Sequence, residues 1–361
     1  MRATGVHCGR STRGVRETDD VRAQEWLEAG QFFGWSPPGD DRDATELQIF
    51  HAEYGEPDAP VIVLVHGFPT SSIDWYDVVP RLSASHRVCV LDFPGFGFSD
   101  KPKGARYTVA RDALLLDHYV REIVGAERGV VIAHDRGDSV ALTFAARCQE
   151  GSSPFEITQL VLSNGNIFLP LSNLTRFQRL VLHEDTAWAV LEATTPEALA
   201  AGMGQSTFTP PRSLDDPAIA ALAETFAHND GTAVLHDTIQ YLVERSQHED
   251  EWLAALARSS VPTTVIWGLH DTVSPPRVAT HVWDRHLATK PGVNELWFLP
   301  RANHYLQDDD PDGFAEIVIR VLEGRSPDAP GALSDDPGGP ILVDRSRPAL
   351  LNARDVLAPA D

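Results

Sequence analysis

No stretch of this 361-residue chain is apolar for long enough to lie in a bilayer. Its apolar runs, VIVLV at 61–65 among them, are about five residues long, where a spanning helix needs roughly twenty. Cysteine is scarce too. Cys8, Cys89 and Cys148 are odd in number, scattered and without metal-ligand spacing, which excludes a disulfide framework and a zinc site. Basic charge is in deficit, with 30 Lys and Arg against 52 Asp and Glu and a formal charge of −22. An acidic surface repels nucleic acid and anionic membranes, so neither is expected as a partner. Residues 1–18 hold several arginines and one acid and read as an unstructured leader rather than a targeting peptide. Cytoplasmic location is the default expectation.

What is present is an apolar fraction of 42%, enough for one large core with an insertion or two modest domains. The organising stretch is GVVIAHDRGDSVAL, residues 129–142. Val130 to Ala133 read as a short buried strand, and Val140, Ala141, Phe144 and Ala145 take up helical spacing. Between them lies a sharp turn with Asp135 at its apex. A nucleophile elbow of this form needs small residues two positions before and after the apex, and Ala133 and Gly137 occupy them. Serine at an apex suits acyl transfer. A carboxylate is better matched to displacement at a saturated carbon, leaving an alkyl ester that water then hydrolyses. Two rival readings exist: Asp135 as a helix N-cap, and a second small-x-Ser-x-small register centred on Ser139.

Along the chain, WLEAGQFFGW (26–35) opens the body, LQIFHAEYG (47–55) alternates as a strand, and VIVLV is continuous, as a central strand of a mostly parallel sheet is. HGFPTSSIDW (66–75) follows, where an oxyanion-hole loop belongs; Gly67 permits tight geometry, Pro69 is a candidate cis residue, and His66 reads as a brace. RVCVLDF (87–93) leads to PGFGFSDKP, which lacks the third glycine of a dinucleotide fingerprint. Helix 110–124 precedes the elbow, and TQLVLSNG (158–165) is a further strand. From 167 to 258 the periodicity is helical throughout. Strands then resume at TTVIWG (263–268) and ELWFL (295–299), with helices near 277–288 and 311–323. The expected organisation is a leader over 1–25, an α/β core over 26–166 and 259–324 with a mostly parallel sheet flanked by helices, a helical cap over 167–258, and a Pro/Gly/Asp-rich, disordered tail over 325–361.

An elbow nucleophile takes its acid and then its histidine from later loops, in that chain order. Asp271 follows TTVIWG and His304 follows ELWFL, each at the carboxyl end of a strand, where sites form in such sheets. His304 is the candidate base, Asp271 the acid that orients it, and His270 a bystander. The backbone N–H groups of Phe68 and Arg136 are the candidate oxyanion hole.

HGFP, LDFPGFGFSDKP, the HDRGD elbow, Asp271 and His304 together resemble the α/β-hydrolase superfamily over about residues 26–323, in the branch of epoxide hydrolases and haloalkane dehalogenases. The resemblance implies an Asp nucleophile, no cofactor and no metal, and a small-molecule substrate, an epoxide or a halogenated alkane. Where epoxide hydrolases use two cap tyrosines, Tyr241 is the one tyrosine between 167 and 258. Where dehalogenases place a halide-binding tryptophan after the nucleophile, this chain has Arg136, and Trp188 and Trp252 are the cap's candidates. The Asp-Arg-Gly elbow also resembles fluoroacetate dehalogenases, whose arginine grips a carboxylate; their second arginine is replaced here by Ser139. The preferred expectation is an epoxide-hydrolase-like enzyme, with a haloalkane or haloacid dehalogenase next. A Ser139 esterase and a non-catalytic ligand-binding protein are the more distant alternatives. Oligomeric state is left open.

Overall fold

The computed structural model describes residues 21–38, 46–327, 331–333, 336 and 338–343. A ten-stranded sheet runs through it in the order β1-β2-β4-β3-β5-β6-β7-β8-β10-β9. Helix α1 (Val21–Ala29) and β1 (Gln31–Trp35) open the chain, followed by β2 (Leu47–Tyr54), β3 (Val61–Val65), α2 (Val79–Leu82) and β4 (Arg87–Leu91). Then come α3 (Val109–His118), β5 (Arg128–His134), α4 (Arg136–Gln149) and β6 (Glu156–Ser163). Strands β4, β3, β5 and β6 pair in parallel, while β1 and β2 pair antiparallel at the edge. Helices cover both faces of the parallel strands, so Ile62 to Val65 and Val130 to Ala133 are buried on both sides. That is why these strands read as unbroken apolar runs rather than alternating ones.

Between β6 and the next strand the chain is helical: α5 (Arg176–Leu182), α6 (Glu184–Glu192), α7 (Pro196–Thr207), α8 (Pro217–Ala227), α9 (Leu235–Thr238) and α10 (Tyr241–Arg258). Among the described residues this segment contains no strand. Local sequence fixes several of the helix starts: Thr175 caps α5 with a full capping box to Gln178, Thr195 caps α7 and Asp216 caps α8. The sheet resumes with β7 (Thr263–Gly268), α11 (Pro276–Val282), β8 (Asn294–Leu299), α12 (Leu306–Asp309) and α13 (Pro311–Leu322). β7 and β8 extend the parallel set.

Two expectations about the ends are corrected. The leader assigned to 1–25 overlaps α1, whose Ala23 and Trp26 are buried; residues 1–20 lie outside the described residues. The tail expected to be disordered from 325 contributes β9 (Gly331–Ala332) and β10 (Ile341–Leu342), and β10 pairs antiparallel with β8. The physical reason is local: in a Pro- and Gly-rich stretch, Leu342 and Val343 bury their side chains and satisfy the open edge of β8. No helix among the described residues is long and apolar enough to cross a membrane.

Candidate active site

Strand β5 ends at His134 and helix α4 begins at Arg136, leaving Asp135 at φ 52°, ψ −114°. This conformation is strained for a residue with a side chain, at a cost of order 1–3 kcal/mol. The turn is tight enough that a Cβ on Gly137 would stand 2.5 Å from the Val65 carbonyl oxygen, and one on Gly67 2.7 Å from Asp135 Cβ. Glycine is therefore required at both positions. Asp135 makes no side-chain cap to α4. Instead its Oδ1 accepts from Phe68 N–H at 2.9 Å, while Oδ2 has no hydrogen-bond partner. The Arg136 N–H, an orphan donor by its place at the start of α4, makes no bond to that carboxylate. Phe68–Pro69 is cis. His66 accepts from Phe93 N–H through Nε2 at 3.0 Å and reaches Gly67 O through Nδ1 at 2.8 Å, bracing two loops as expected.

Asp271 and His304 stand beyond the carboxyl ends of β7 and β8, and the structure brings both to Asp135. His304 Nδ1 lies 3.2 and 3.1 Å from the two Asp271 oxygens, and its Nε2 lies 3.6 Å from Asp135 Oδ2. Asp271 Oδ1 also accepts from Val273 and Ser274 N–H, each at 2.8 Å. Burial penalises charge on all three groups. For His304 the flanking carboxylates outweigh it and carry the imidazole up to about 10. For Asp135 the imidazole and the Phe68 N–H outweigh it and bring the carboxyl down to about 2. Burial pushes Asp271 up, with His304 and the two N–H groups pulling against it. These shifts favour the charged form of His304 and of Asp135, an imidazolium facing a carboxylate. His270 is exposed and takes no part.

The remaining candidates divide. Tyr241, the first residue of α10, is fully buried with its ring 5.7 Å from that of Phe68. Burial, and next the charge of Asp135, raise its phenol, so it is neutral. Its hydroxyl, with Asn166 as a polar neighbour, meets no group in hydrogen-bonding geometry. Arg136 is also fully buried, but its guanidinium is ion-paired with Asp112. That corrects the idea of Arg136 as a wholly free grip for a substrate carboxylate, because Asp112 takes its Nη2, while Nε and Nη1 make no hydrogen bond. Trp188 is corrected too: it is 51% exposed and packs against His236, since α6 turns that face to solvent. Trp252 is buried against His248. Ser139 lies inside α4, not at the apex, and its hydroxyl accepts from Arg245 Nε at 2.7 Å.

Arg245 is the group that the sequence reading missed. It sits one turn after Tyr241 on α10, fully buried, and its Nη2 approaches the Asp135 carbonyl at 3.4 Å. Arg136 and Arg245 flank the Tyr241 ring at 5.7 and 5.5 Å. An arginine at i+4 from a buried tyrosine shares its inward face, and that spacing was the available signal. His134 and Asn164 were also missed. They donate to the His304 carbonyl, each at 2.8 Å, and fix the loop that carries the imidazole.

Beside this cluster lies a cavity of about 300 Å³, to which Phe68 and His304 contribute one wall and α5 and α7 the other.

Comparison with known proteins bears on the family and the fold. Residues 60–311 match the family model described as the alpha/beta hydrolase fold. A Mycobacterium tuberculosis protein named as a hydrolase, LipZ, is 33% identical over 300 residues, covering 83% of this chain and 97% of that one. The mesoderm-specific transcript homolog protein of Bos taurus is 30% identical over 316 residues, covering 82% and 87%. The crystal structure of the haloalkane dehalogenase DbeA from Bradyrhizobium elkani superposes with a TM-score of 0.65 at 21% identity, covering 82% of this chain and 98% of that one, a likeness of fold alone.

Proposed function

Because the chain belongs to the α/β-hydrolase family, and is a hydrolase, we propose that it opens epoxides through a covalent ester of Asp135. The observation that carries this reading is a carboxylate, rather than a hydroxyl, at the elbow apex, with one oxygen held by the Phe68 N–H and the other facing the His304 imidazole at 3.6 Å without a hydrogen bond. Asp135 Oδ2 attacks the epoxide carbon and the C–O bond breaks. The alkoxide takes its proton from the Tyr241 hydroxyl, a neutral donor without a protein partner. The ester leaves Asp135 neutral, which removes one of the two charges that hold His304 protonated. The imidazolium then gives its proton through solvent to the Tyr241 phenolate, the neutral imidazole takes another from water, and the hydroxide adds to the ester carbonyl. Oδ1 becomes the oxyanion, facing the Phe68 N–H and, as the adduct forms, the Arg136 N–H. Collapse of the adduct expels the diol oxygen, which takes the adduct's hydroxyl proton, and leaves the Asp135 carboxylate beside the His304 imidazolium. Asp271 orients the ring and carries its countercharge.

Carbon–halogen cleavage by the same triad is the second reading, favoured by the dehalogenase fold of DbeA. The residue after the nucleophile argues against it, since Arg136 is tied to Asp112 and no tryptophan stands there. A Ser139 esterase is disfavoured because that hydroxyl is held by Arg245 inside a helix. The test is His304→Gln incubated with epoxides and haloalkanes, with intact mass and peptide mapping as the readout. A hydroxyalkyl adduct on Asp135 is expected. A plain alkyl adduct with halide release would move the protein to the dehalogenases, and acyl labelling of Ser139 would end the aspartate mechanism.

A further inference from the structure

The loop that carries His304 is followed by one turn of helix, α12, which brings Asp309 back to the residue before the histidine. Asp309 Oδ2 accepts from the Asn303 N–H at 2.9 Å and from the Thr209 N–H at 3.0 Å, while Oδ1 accepts from Arg212 Nη2 at 2.9 Å. The Asp309 side chain is fully buried. Thr209 and Arg212 lie between α7 and α8, in the inserted helical segment. One carboxyl group therefore fastens the loop of the base to the helices that cover it. A buried acceptor shared by three donors leaves none of them free to drift, because each would lose its bond where water cannot replace it.

The contacts around Asp309 run the same way. The Thr207 carbonyl, at the end of α7, accepts from the N–H groups of His304 and Tyr305 at 3.2 and 3.4 Å. The Phe208 ring stacks on that of Tyr305 at 4.8 Å, and the Arg212 guanidinium lies over Phe208 at 4.8 Å. Thr272, next to Asp271, donates its hydroxyl to the Ser206 carbonyl at 2.9 Å. The nucleophile stands outside this set. Among the described residues, the hydrogen bonds of Asp135 are with Phe68, Ser163, Asp138 and Arg245. The turn after α7 is thus bonded to the loops of the base and the acid, and not to the elbow.

We propose that Asp309 is a positioning residue for His304: by gathering Asn303, Thr209 and Arg212 on one carboxyl group it sets where the imidazole stands over the ester carbonyl. Hydrolysis of the Asp135 ester needs that placement, since His304 must take a proton from the attacking water. Formation of the ester does not, since the elbow holds Asp135 by itself. The proposal rests on the Asp135 ester but not on which leaving group forms it.

The test separates the two half-reactions in the full chain, by rapid-quench mass spectrometry with the epoxide or haloalkane that labels His304→Gln. Asp309→Ala should form the ester within about threefold of the wild-type rate and hydrolyse it roughly 10²-fold more slowly, the scale set by displacing a catalytic group about 1 Å. Asp309→Asn, whose amide oxygen can still accept from Asn303 and Thr209, should recover hydrolysis to within about fivefold of wild type. Arg212→Ala, at a side chain open to solvent on one edge, guards against loss of the fold and should slow hydrolysis alone, roughly tenfold. A second readout needs no substrate: the ring 15N shifts of His304, assigned by their loss in His304→Gln, should change in Asp309→Ala and return to wild-type positions in Asp309→Asn. Equal slowing of both half-reactions, hydrolysis unchanged in Asp309→Ala and Arg212→Ala alike, or ring shifts indifferent to residue 309 overturns the proposal. If no compound labels Asp135 even in His304→Gln, the ester reading falls, and the ring shifts decide the positioning role alone.

Discussion

The carboxyl end of the sheet and the inserted helices meet across one small space, and they are built on opposite principles. On the sheet side the titratable groups Asp135, Asp271 and His304 are almost wholly buried, and their positions are over-determined by hydrogen bonds from Phe68, Val273, Ser274, His134 and Asn164. On the helical side the cavity wall carries no Asp, Glu, Lys or Arg side chain. Charge in a buried place is tolerated only when geometry is exact to tenths of an ångström, so the sheet side has little freedom to vary. An apolar wall needs only volume and shape. On the proposed mechanism the chemistry belongs to the first region.

The largest break in that division is Asp135→Ala, which should lower kcat at least 10³-fold; turnover within tenfold of wild type would mean that the chemistry lies elsewhere. Arg245 ties the two regions together. Arg245→Ala should cost about 3 kcal/mol, by opening a cavity beneath α10, leaving the Ser139 hydroxyl without its donor and the Asp135 carbonyl with the Asp138 N–H alone. Arg245→Met, which restores the volume, should recover most of that, because burial already lowers the pKa of this guanidinium. Denaturant midpoints of the two variants read the difference, and equal losses would show that the hydrogen bonds, not the packing, hold the regions together.

Tyr241→Phe should slow formation of the Asp135 ester from an epoxide roughly 10²-fold, while leaving its formation from an alkyl bromide nearly unchanged. Rapid-quench mass spectrometry reads both, and equal effects on the two substrates would remove the phenol from leaving-group chemistry. A smaller effect is electrostatic. His304 is raised from 6.5 to about 10 on folding, so its contribution to stability is complete below pH 6.5 and is lost as pH rises toward 10. The stability gap between wild type and His304→Gln should therefore narrow across that window, and a gap independent of pH would mean that the imidazolium is not held by the carboxylates. Ser139→Ala is the mildest change, expected to cost about 1 kcal/mol for one lost acceptor and to leave turnover within threefold. Loss of activity there would revive the serine register.

The order of elements was legible because each rule that governs it is local. Continuous apolar runs marked β3 and β5, helical spacing marked the segment from α5 to α10, and capping residues marked several of its starts. Asp135, Asp271 and His304 could be named because each lies just past the carboxyl end of a strand, and such ends gather in a parallel sheet. Trp188 was misplaced for the converse reason: an aromatic on an amphipathic helix shows its spacing but not which neighbour its face meets. Arg136 was half read. Its position is set by the elbow, but the side chain's partner, Asp112, comes from the preceding helix, and nothing in the spacing of 112 and 136 announces a contact. The strands at 331–332 and 341–342 were invisible because two-residue pairings carry no periodicity; an open edge on β8 recruits them.

By itself, then, the sequence determined the strand-turn-helix that strains Asp135, the small residues it requires and the chain order of its partners, because these follow from backbone sterics within a few residues. Only the tertiary structure decided which donors face which acceptor, and that Arg245 would lie under the elbow and Trp188 in solvent. Those depend on how helices from distant parts of the chain pack over one sheet end, and packing is a property of three-dimensional neighbours that one-dimensional spacing does not specify.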